Sequence, residues 1–461
     1  MKTRNSPRYS AQNSEPDCIN DLYSLANYEK RGIADLGFSR DRFLILKEFF
    51  NHACPSHKKK PLIIVAGTKG KGSTCHFLYK ILKKVYKKVG LFTSPHIYRV
   101  NERIVINGRQ ISSRDFDRIY QTVMPIYQDF KNTRSSCFSP SVFEVLTLMA
   151  KMYFDEKDTG ADIFEAGLGG RLDAVNCLPD DRIAVITSIS LDHTAILGDT
   201  CDRIFLEKIA VARKGQPLYL GFQRYIDIKK YEKRLKNYSL ISYGKGFHYE
   251  KKGTDIRFYP GRDQAVDMKI PRNYPGFHLY NLCLALAVAS RITPKLLGKA
   301  CFSMKSFNLP CRFEVVRKPN RLFIIDAAHN KDSLEILFCN IKEKWPLKRK
   351  ILIFGCLKDK DIKGMLEVIT RYKPDFTIFQ DISSERNHDF KKDSQLKGLC
   401  LSHKHSKNIC ETYQILSESK MLAPGSLTVI TGSFYLCSEH RQLLKKPGGT
   451  TDSDILSSGP I

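Results

Sequence analysis

The apolar positions of the chain fall into short continuous runs separated by longer stretches with helical spacing. Residues 62–66 read Leu-Ile-Ile-Val-Ala, a β-branched run too short for a helix and apolar on both faces, which predicts a fully buried strand. Further strands are predicted at 89–93, 162–166 and 183–189, and helices at 75–88, 116–127 and 142–154. A helical pattern also covers residues 20–50, with Leu22, Leu25, Leu44 and Leu46 among its apolar positions. Helices alternating with such strands predict an α/β fold with a parallel sheet covered on both faces. The nearly all-apolar stretch 281–291 predicts a buried helix. The pattern breaks at 307–310, and a second, smaller α/β unit follows, with strands at 321–326, 350–355, 375–379 and 427–431.

Polar residues are concentrated where the strands end. Gly67, Thr68, Lys69, Gly70, Lys71, Gly72, Ser73 and Thr74 follow the first strand, and Ser94, Pro95 and His96 follow the second. The third strand ends in the run from Gly167 to Asp173, and the fourth in Asp192 and His193. In a parallel sheet all of these emerge at the carboxyl edge, where α/β sheets take their ligands. Strand, glycine-rich turn and helix in that order make a phosphate cradle, because glycines let backbone N–H groups approach oxygen atoms and a helix N-terminus adds partial positive charge. Lys71 is placed to reach the outer phosphates, and Ser73 to complete the shell of a Mg²⁺ ion. The spelling departs from the usual phosphate loop: Val65 stands where the first glycine would fall, and Gly72 separates the lysine from the serine. Residues 101–108 are polar and turn-rich, and are expected to form a functional loop rather than core.

A chain of 461 residues exceeds what one core usually organises, so two domains are expected. Its apolar runs are far too short to cross a bilayer. Lys2, Arg4 and Arg8 lie near the N-terminus without an apolar segment, and Glu15 and Asp17 interrupt it, so a secretory signal is not expected and organellar import is the weaker reading. Fourteen cysteines contain no Cys-x-x-Cys pair, and Cys75, Cys283, Cys356 and Cys437 lie in apolar segments; free thiols in the cytoplasm are the expectation. The net charge of +27 could draw a polyanion, but the lysines are scattered through helical patterns, as at Lys83, Lys84, Lys87 and Lys88. Solvated helix faces are the expected explanation.

Several motifs now stand in one order: Gly67 to Ser73; Ser94-Pro95-His96; Glu102-Arg103-Ile104 with Ile106-Asn107-Gly108; Glu165 to Asp173; Leu191 to Thr194; and Leu197-Gly198-Asp199. Glu207-Lys208, Leu309 to Arg312, Asp326 to Asn330, Asp359-Lys360-Asp361 and Thr431-Gly432-Ser433 complete the series. With these, from about residue 23 to 437, the chain resembles the folylpolyglutamate synthases and related dihydrofolate synthases of the Mur ligase superfamily. Residues 1–20 are polar and expected to be flexible; the resemblance implies an ATP-binding domain with a P-loop NTPase-like parallel sheet (21–303) and a linker (304–311). A Rossmann-like glutamate-ligase domain (312–440) would follow, with ATP in the cleft between the domains, and the Gly-, Ser- and Thr-rich composition of the C-terminal end predicts a disordered tail (441–461).

What the resemblance further implies is ligation of L-glutamate to a folate or dihydropteroate, with ATP and two Mg²⁺ ions, by a monomer without nucleic-acid or membrane partners. Gly67, Thr68, Gly70, Lys71, Gly72, Ser73, Thr74, Asn281, Arg312 and Asp326 would hold the nucleotide, and Ser73, Glu165 and His193 the metal. Lys71, Lys208 and His329 would be catalytic. Ser94, His96, Phe143 and Asp173 would face the folate, and His329 and Ser433 the glutamate, with 94–96 and 101–108 forming a mobile loop at the pocket. In this family the lysine matching Lys208 is carbamylated; an ammonium beside Mg²⁺ would be repelled, whereas a carbamate supports a second metal. Read alone, Lys208 is a surface lysine of a helix, and residues 326–330 are a strand-end turn with a helix cap. Two departures stand out: Lys69 replaces an asparagine frequent in bacterial members, and Cys311 a usual glycine.

Two rivals remain. A peptidoglycan-precursor ligase usually carries an additional N-terminal domain, for which the 66 residues before Gly67 leave little room. A nucleic-acid-associated ATPase would explain the charge and the phosphate loop but not the runs 165–173 and 326–330.

Overall fold

The computed structural model describes residues 15–26, 39–54, 59–136, 138–261, 265–271, 274–294, 309–319, 321–394, 396, 402–419 and 425–445. The expected flexible N-terminus lies outside these up to residue 14, the linker up to residue 308, and the expected disordered tail from residue 446. The chain divides into two units, one of Met1–Lys252, Ile256–Asp267 and Tyr280–Cys301, the other of Gly253–Asp255, Met268–Leu279 and Phe302–Ile461.

In the first unit the strands are β1 (Leu62–Ala66), β2 (Val89–Phe92), β3 (Ile104–Ile106), β4 (Arg109–Gln110), β5 (Ala161–Glu165), β6 (Ile183–Ile186), β7 (Pro217–Leu220) and β8 (Ser239–Ser242). They form one sheet in the order β4-β3-β2-β5-β1-β6-β7-β8. From β2 to β8 neighbouring strands are parallel. β1 occupies an interior position with all five residues buried, which is why its sequence is apolar without alternation. Each such fully buried aliphatic side chain contributes ~1.5–3 kcal/mol. The helices Lys71–Leu82, Val142–Glu156 and Cys201–Ile209 carry many of the buried residues that pack on the sheet. Val142–Glu156 begins in a capping box, Ser141 accepting from Glu144 N–H and Glu144 from Ser141 N–H.

Three sequence expectations are corrected here. Within the helical pattern 20–50 the described residues form the helices Ile19–Ser24 and Arg40–Ala53, Leu25 is extended rather than helical, and residues 27–38 lie outside the described ones. Residues 101–108 are not a loop lying outside the core. Val100, Asn101, Arg103 and Ile104 are buried, and β3 pairs antiparallel with β2, matching Phe92 to Ile104 and Gly90 to Ile106. Asn107 and Gly108, both at positive φ (52° and 85°), turn the chain into β4, so this polar pair marks a hairpin tip. The sheet also extends past the four expected strands, through β3 and β4 on one side and β7 and β8 on the other; β8, at the edge and largely exposed, reads Ser-Leu-Ile-Ser and so forms no continuous apolar run.

A small sheet in the order β11-β10-β9 follows: β9 (His248–Lys252), β10 (Asp255–Tyr259) and β11 (Val266–Lys269). The expected buried helix is Gly276–Ile292, with Leu282 to Ala289 all buried.

In the second unit, β12 (Glu314–Lys318), β13 (Arg321–Asp326), β14 (Lys350–Phe354), β15 (Phe376–Gln380), β16 (His403–Ser406) and β17 (Leu427–Thr431) form a sheet in the order β12-β13-β17-β14-β15-β16. It is parallel except for the edge strand β12. Among the described residues no helix is long and apolar enough to cross a membrane.

Candidate active site

Neighbouring groups crowd the glycines of the turn after β1. Gly67 has φ 149°, and a Cβ there would lie 1.8 Å from Thr187 Oγ1. Gly70, at φ 84°, is the N-cap of the helix Lys71–Leu82, and its Cβ would fall 2.4 Å from Asn281 Oδ1. The residues after β6 hold the turn in place: Ser188 O accepts from the N–H groups of Thr68 (2.9 Å) and Lys69 (3.3 Å), and Ser190 N–H donates to Thr68 Oγ1 at 3.2 Å. Lys71 Nζ folds back and donates to Gly67 O at 3.1 Å. Ser73 and Thr74 are buried in the first helical turn, and Thr74 Oγ1 has no hydrogen-bond partner among the described residues. A left-handed glycine cap, a helix N-terminus and an unpartnered buried hydroxyl fit the phosphates of a nucleotide.

Glu165 ends β5 and is buried against this turn: a Cβ on Gly72 would lie 3.3 Å from its Oε2, which also accepts from Ser94 N–H at 3.2 Å. His193 caps the one-turn helix Thr194–Leu197 at φ 50°, its Nε2 3.8 Å from Asp192 Oδ1. A Ser73 hydroxyl and a Glu165 carboxylate are hard oxygen donors of the kind Mg²⁺ takes, and the imidazole is the less usual member. Among the described residues no group of three or more His, Cys, Asp or Glu could hold a metal ion by itself.

Lys208 is not a surface lysine. It is 4% exposed near the end of the helix Cys201–Ile209, and that end packs on the Gly167–Asp173 loop, where a Cβ on Gly170 would lie 2.8 Å from Glu207 O and 2.9 Å from Lys208 O. Arg171 N–H also donates to Glu207 O at 2.9 Å. The Lys208 amine is pushed down to about 7, chiefly by burial and next by neighbouring Lys71, against the opposing pull of Asp192, Asp173 and Glu207. Lysine and carboxylate groups from three different strand ends thus share one electrostatic neighbourhood. The glycine at 170 permits this docking, a packing role that the motif contained but its chemistry did not reveal.

Asp173 is buried and accepts from Leu168 N–H (2.7 Å) and Val175 N–H (3.0 Å), so its carboxylate ties its own loop together. Burial nevertheless raises its pKa to about 6. Phe143 covers the same loop: its Cζ would lie 2.9 Å from a Cβ on Gly167, and its ring centroid is 5.6 Å from that of Phe92. His96 is held by buried Arg103, whose Nε donates to His96 Nδ1 at 2.9 Å.

In the second unit Asp326 ends β13, buried, and accepts from Phe313 N–H at 2.7 Å. Desolvation raises its pKa, opposed by Arg312. His329 Nδ1 lies 2.8 Å from Ala327 O, and Asn330 caps the helix Lys331–Lys344, so the helix-cap reading of 326–330 holds for Asn330. Ser433 is buried and its Oγ accepts from Leu436 N–H at 3.1 Å, the behaviour of a helix cap. The Arg312 guanidinium lies over the Phe434 ring, 4.4 Å from its centroid.

The Mur ligase middle domain model matches residues 65–289, and the model of the Mur ligase glutamate ligase domain matches residues 311–434. The dihydrofolate synthase/folylpolyglutamate synthase of Buchnera aphidicola subsp. Schizaphis graminum is 30% identical over 389 residues, 81% of this chain and 86% of that protein. The protein of the same description from Escherichia coli is 31% identical over 311 residues, 67% of this chain and 70% of its own length. A crystal structure of a bifunctional folylpolyglutamate synthase/dihydrofolate synthase with Mn, AMPPNP and L-glutamate bound superposes with a TM-score of 0.74 at 26% identity, covering 90% of this chain and 95% of that one. Two domain matches in the right order, full-length likeness in fold and relatives at 30% identity or more lead to one conclusion: the chain belongs to the dihydrofolate synthase/folylpolyglutamate synthase family of Mur ligases.

Proposed function

We propose that the protein is an ATP-dependent ligase that joins L-glutamate to the terminal carboxylate of a folate, with dihydropteroate as the second acceptor to be examined. The acceptor carboxylate attacks the γ-phosphorus of ATP, ADP leaves, and an acyl phosphate results. The amine of glutamate then adds to the acyl carbon, phosphate departs and the nitrogen loses a proton, leaving an amide.

In this reading Gly67, Thr68, Gly70, Gly72 and Thr74 cradle the phosphates, and Lys71 neutralises the γ-phosphate as charge builds on the leaving oxygen. Asn281, Arg312 and Asp326 hold the rest of the nucleotide. Ser73, Glu165 and His193 would hold a Mg²⁺ ion, whose chemistry would be neutralisation of phosphate charge. Lys208 in neutral form adds CO₂ through its amine nitrogen, releasing a proton and becoming an anionic carbamate that serves a second metal. Ser94, His96, Phe143 and Asp173 line the acceptor, and His329 and Ser433 the glutamate. Catalysis then rests mainly on positioning and charge neutralisation. The cytoplasm is the compartment proposed, supported by free, buried Cys75, Cys283, Cys356 and Cys437.

One observation carries the reading: Lys208, 4% exposed, is buried against the Gly167–Asp173 loop at the phosphate-loop edge of the sheet, beside Lys71, Asp173 and Asp192, where an ordinary ammonium would be poorly tolerated. The test is phosphate release by purified protein with Mg-ATP and L-glutamate, comparing a reduced folate and dihydropteroate side by side. Release with either acceptor supports the assignment and tells which one is used; no release with both rejects it.

A further inference from the structure

Arg312 is displayed by an unusual turn. The residues on either side, Cys311 (φ 54°) and Phe313 (φ 47°), are both in the left-handed region that side-chain-bearing residues avoid. Such a pair persists only where surrounding contacts over-determine it, and each backbone N–H is clamped by a buried carboxylate. Cys311 N–H donates to Glu314 Oε2 at 2.9 Å, and Phe313 N–H to Asp326 Oδ2 at 2.7 Å. Cys311 O in turn accepts from Ala327 N–H at 3.0 Å.

Glu314 is 1% exposed, and a carboxylate so buried must be compensated. Arg441 does so, its Nε 2.9 Å from Oε2 and 3.2 Å from Oε1, together with Lys445. Both cations lie on the helix Phe434–Lys445, and the first residue of that helix supplies the ring under the Arg312 guanidinium. One helix therefore grips the arginine twice: at its tip through Phe434, and at its backbone through Glu314.

We propose that the helix Phe434–Lys445, acting through Phe434 and the Arg441–Glu314–Lys445 cluster, is a positioning device that presets Arg312 for the nucleotide. This rests on the reading that Arg312 meets the nucleotide phosphates. An arginine side chain has many rotamers, and a charged head held on an aromatic face gives up less freedom when its ligand arrives. Neither Phe434 nor Glu314 touches the reacting atoms in this account.

The experiment is a double-mutant cycle in the full-length protein, measuring kcat and KM for ATP and for L-glutamate. Phe434→Leu is expected to lower kcat/KM for ATP by about tenfold, equivalent to ~1.4 kcal/mol, with KM for glutamate unchanged. In an Arg312→Ala background the same change is expected to do nothing, and Phe434→Tyr, which keeps the ring, is expected to restore most of the loss. Glu314→Gln, checked for folding by its melting curve, should reproduce the ATP-specific loss. If Phe434→Leu matches the parent while Arg312→Ala is impaired, or if its effect persists undiminished without Arg312, the positioning role is overturned. If Arg312→Ala itself leaves kcat/KM for ATP unchanged, the phosphate-binding reading of Arg312 fails instead.

Discussion

Asn281 closes over Gly70 so tightly that its Oδ1 occupies the space of a Cβ, 2.4 Å from where that atom would sit. Two residues more than two hundred positions apart thereby define one wall of the phosphate turn. Gly70→Ala meets this wall and also carries a left-handed φ of 84°, which costs an L-residue ~1–2 kcal/mol. The expected result is a loss of ADP affinity of about tenfold or more by calorimetric titration. Unchanged affinity would show that the contact has no bearing on the nucleotide.

Lys208 makes a pH prediction. Its pKa falls from 10.5 in the unfolded chain to about 7 in the folded one, so between those values the unfolded chain holds more protons. The buried amine therefore penalises the native state fully below about pH 7, and the penalty fades as pH rises from about 7 towards 10.5. In CO₂-free buffer Lys208→Met should melt above the parent at acidic pH, with the gap closing in alkali. A gap of constant size across that range would contradict the assigned shift.

The same residue makes a catalytic prediction. Lys208→Ala is expected to lose activity by about a hundredfold, with part of it returned by short carboxylic acids that replace the carbamate. Full activity in the alanine variant would dispose of the carbamate.

Asp173 receives two backbone N–H groups from its own loop, those of Leu168 and Val175. Asp173→Ala leaves both without their partner, a loss of ~1–3 kcal/mol in stability. Because Phe143 packs on Gly167 of this loop, KM for the pterin-bearing acceptor should rise while ADP affinity is retained. Equal damage to both ligands would point to global unfolding, which a melting curve would reveal.

Arg103 pins His96 at 2.9 Å from within the core. Arg103→Met should therefore speed hydrogen exchange over residues 94–103 and raise the acceptor KM by about five- to tenfold, at little change in KM for ATP. Retained protection in that segment would mean that the β2–β3 pairing, not Arg103, holds it.

Much of this molecule was legible from its pattern of apolar residues. The run 62–66 announced β1, and the strand ends carrying Gly67, Gly167 and Asp192 were assigned to one edge, as the parallel pairing of β1, β5 and β6 bears out. Residues 101–108 were misread because Asn101 and Arg103 are polar yet buried, their side chains satisfied by nearby Ile111 O and His96 Nδ1 once the hairpin folds back on β2. Glu314 drew no attention because a lone acidic residue in a strand looks like a solvated position until Arg441 is seen against it.

Local chemistry, then, determined the strands, the turns and the phosphate loop, since burial on both faces and the backbone freedom of glycine are written into consecutive residues. Tertiary structure alone decided that Lys208 is buried beside Lys71, that Asn281 closes on Gly70 and that a C-terminal helix grips Glu314 beside Arg312. Those contacts join segments that only sheet order and helix docking bring together. No spacing along the chain encodes them, because the desolvation and charge compensation that give each residue its character come from atoms remote in sequence.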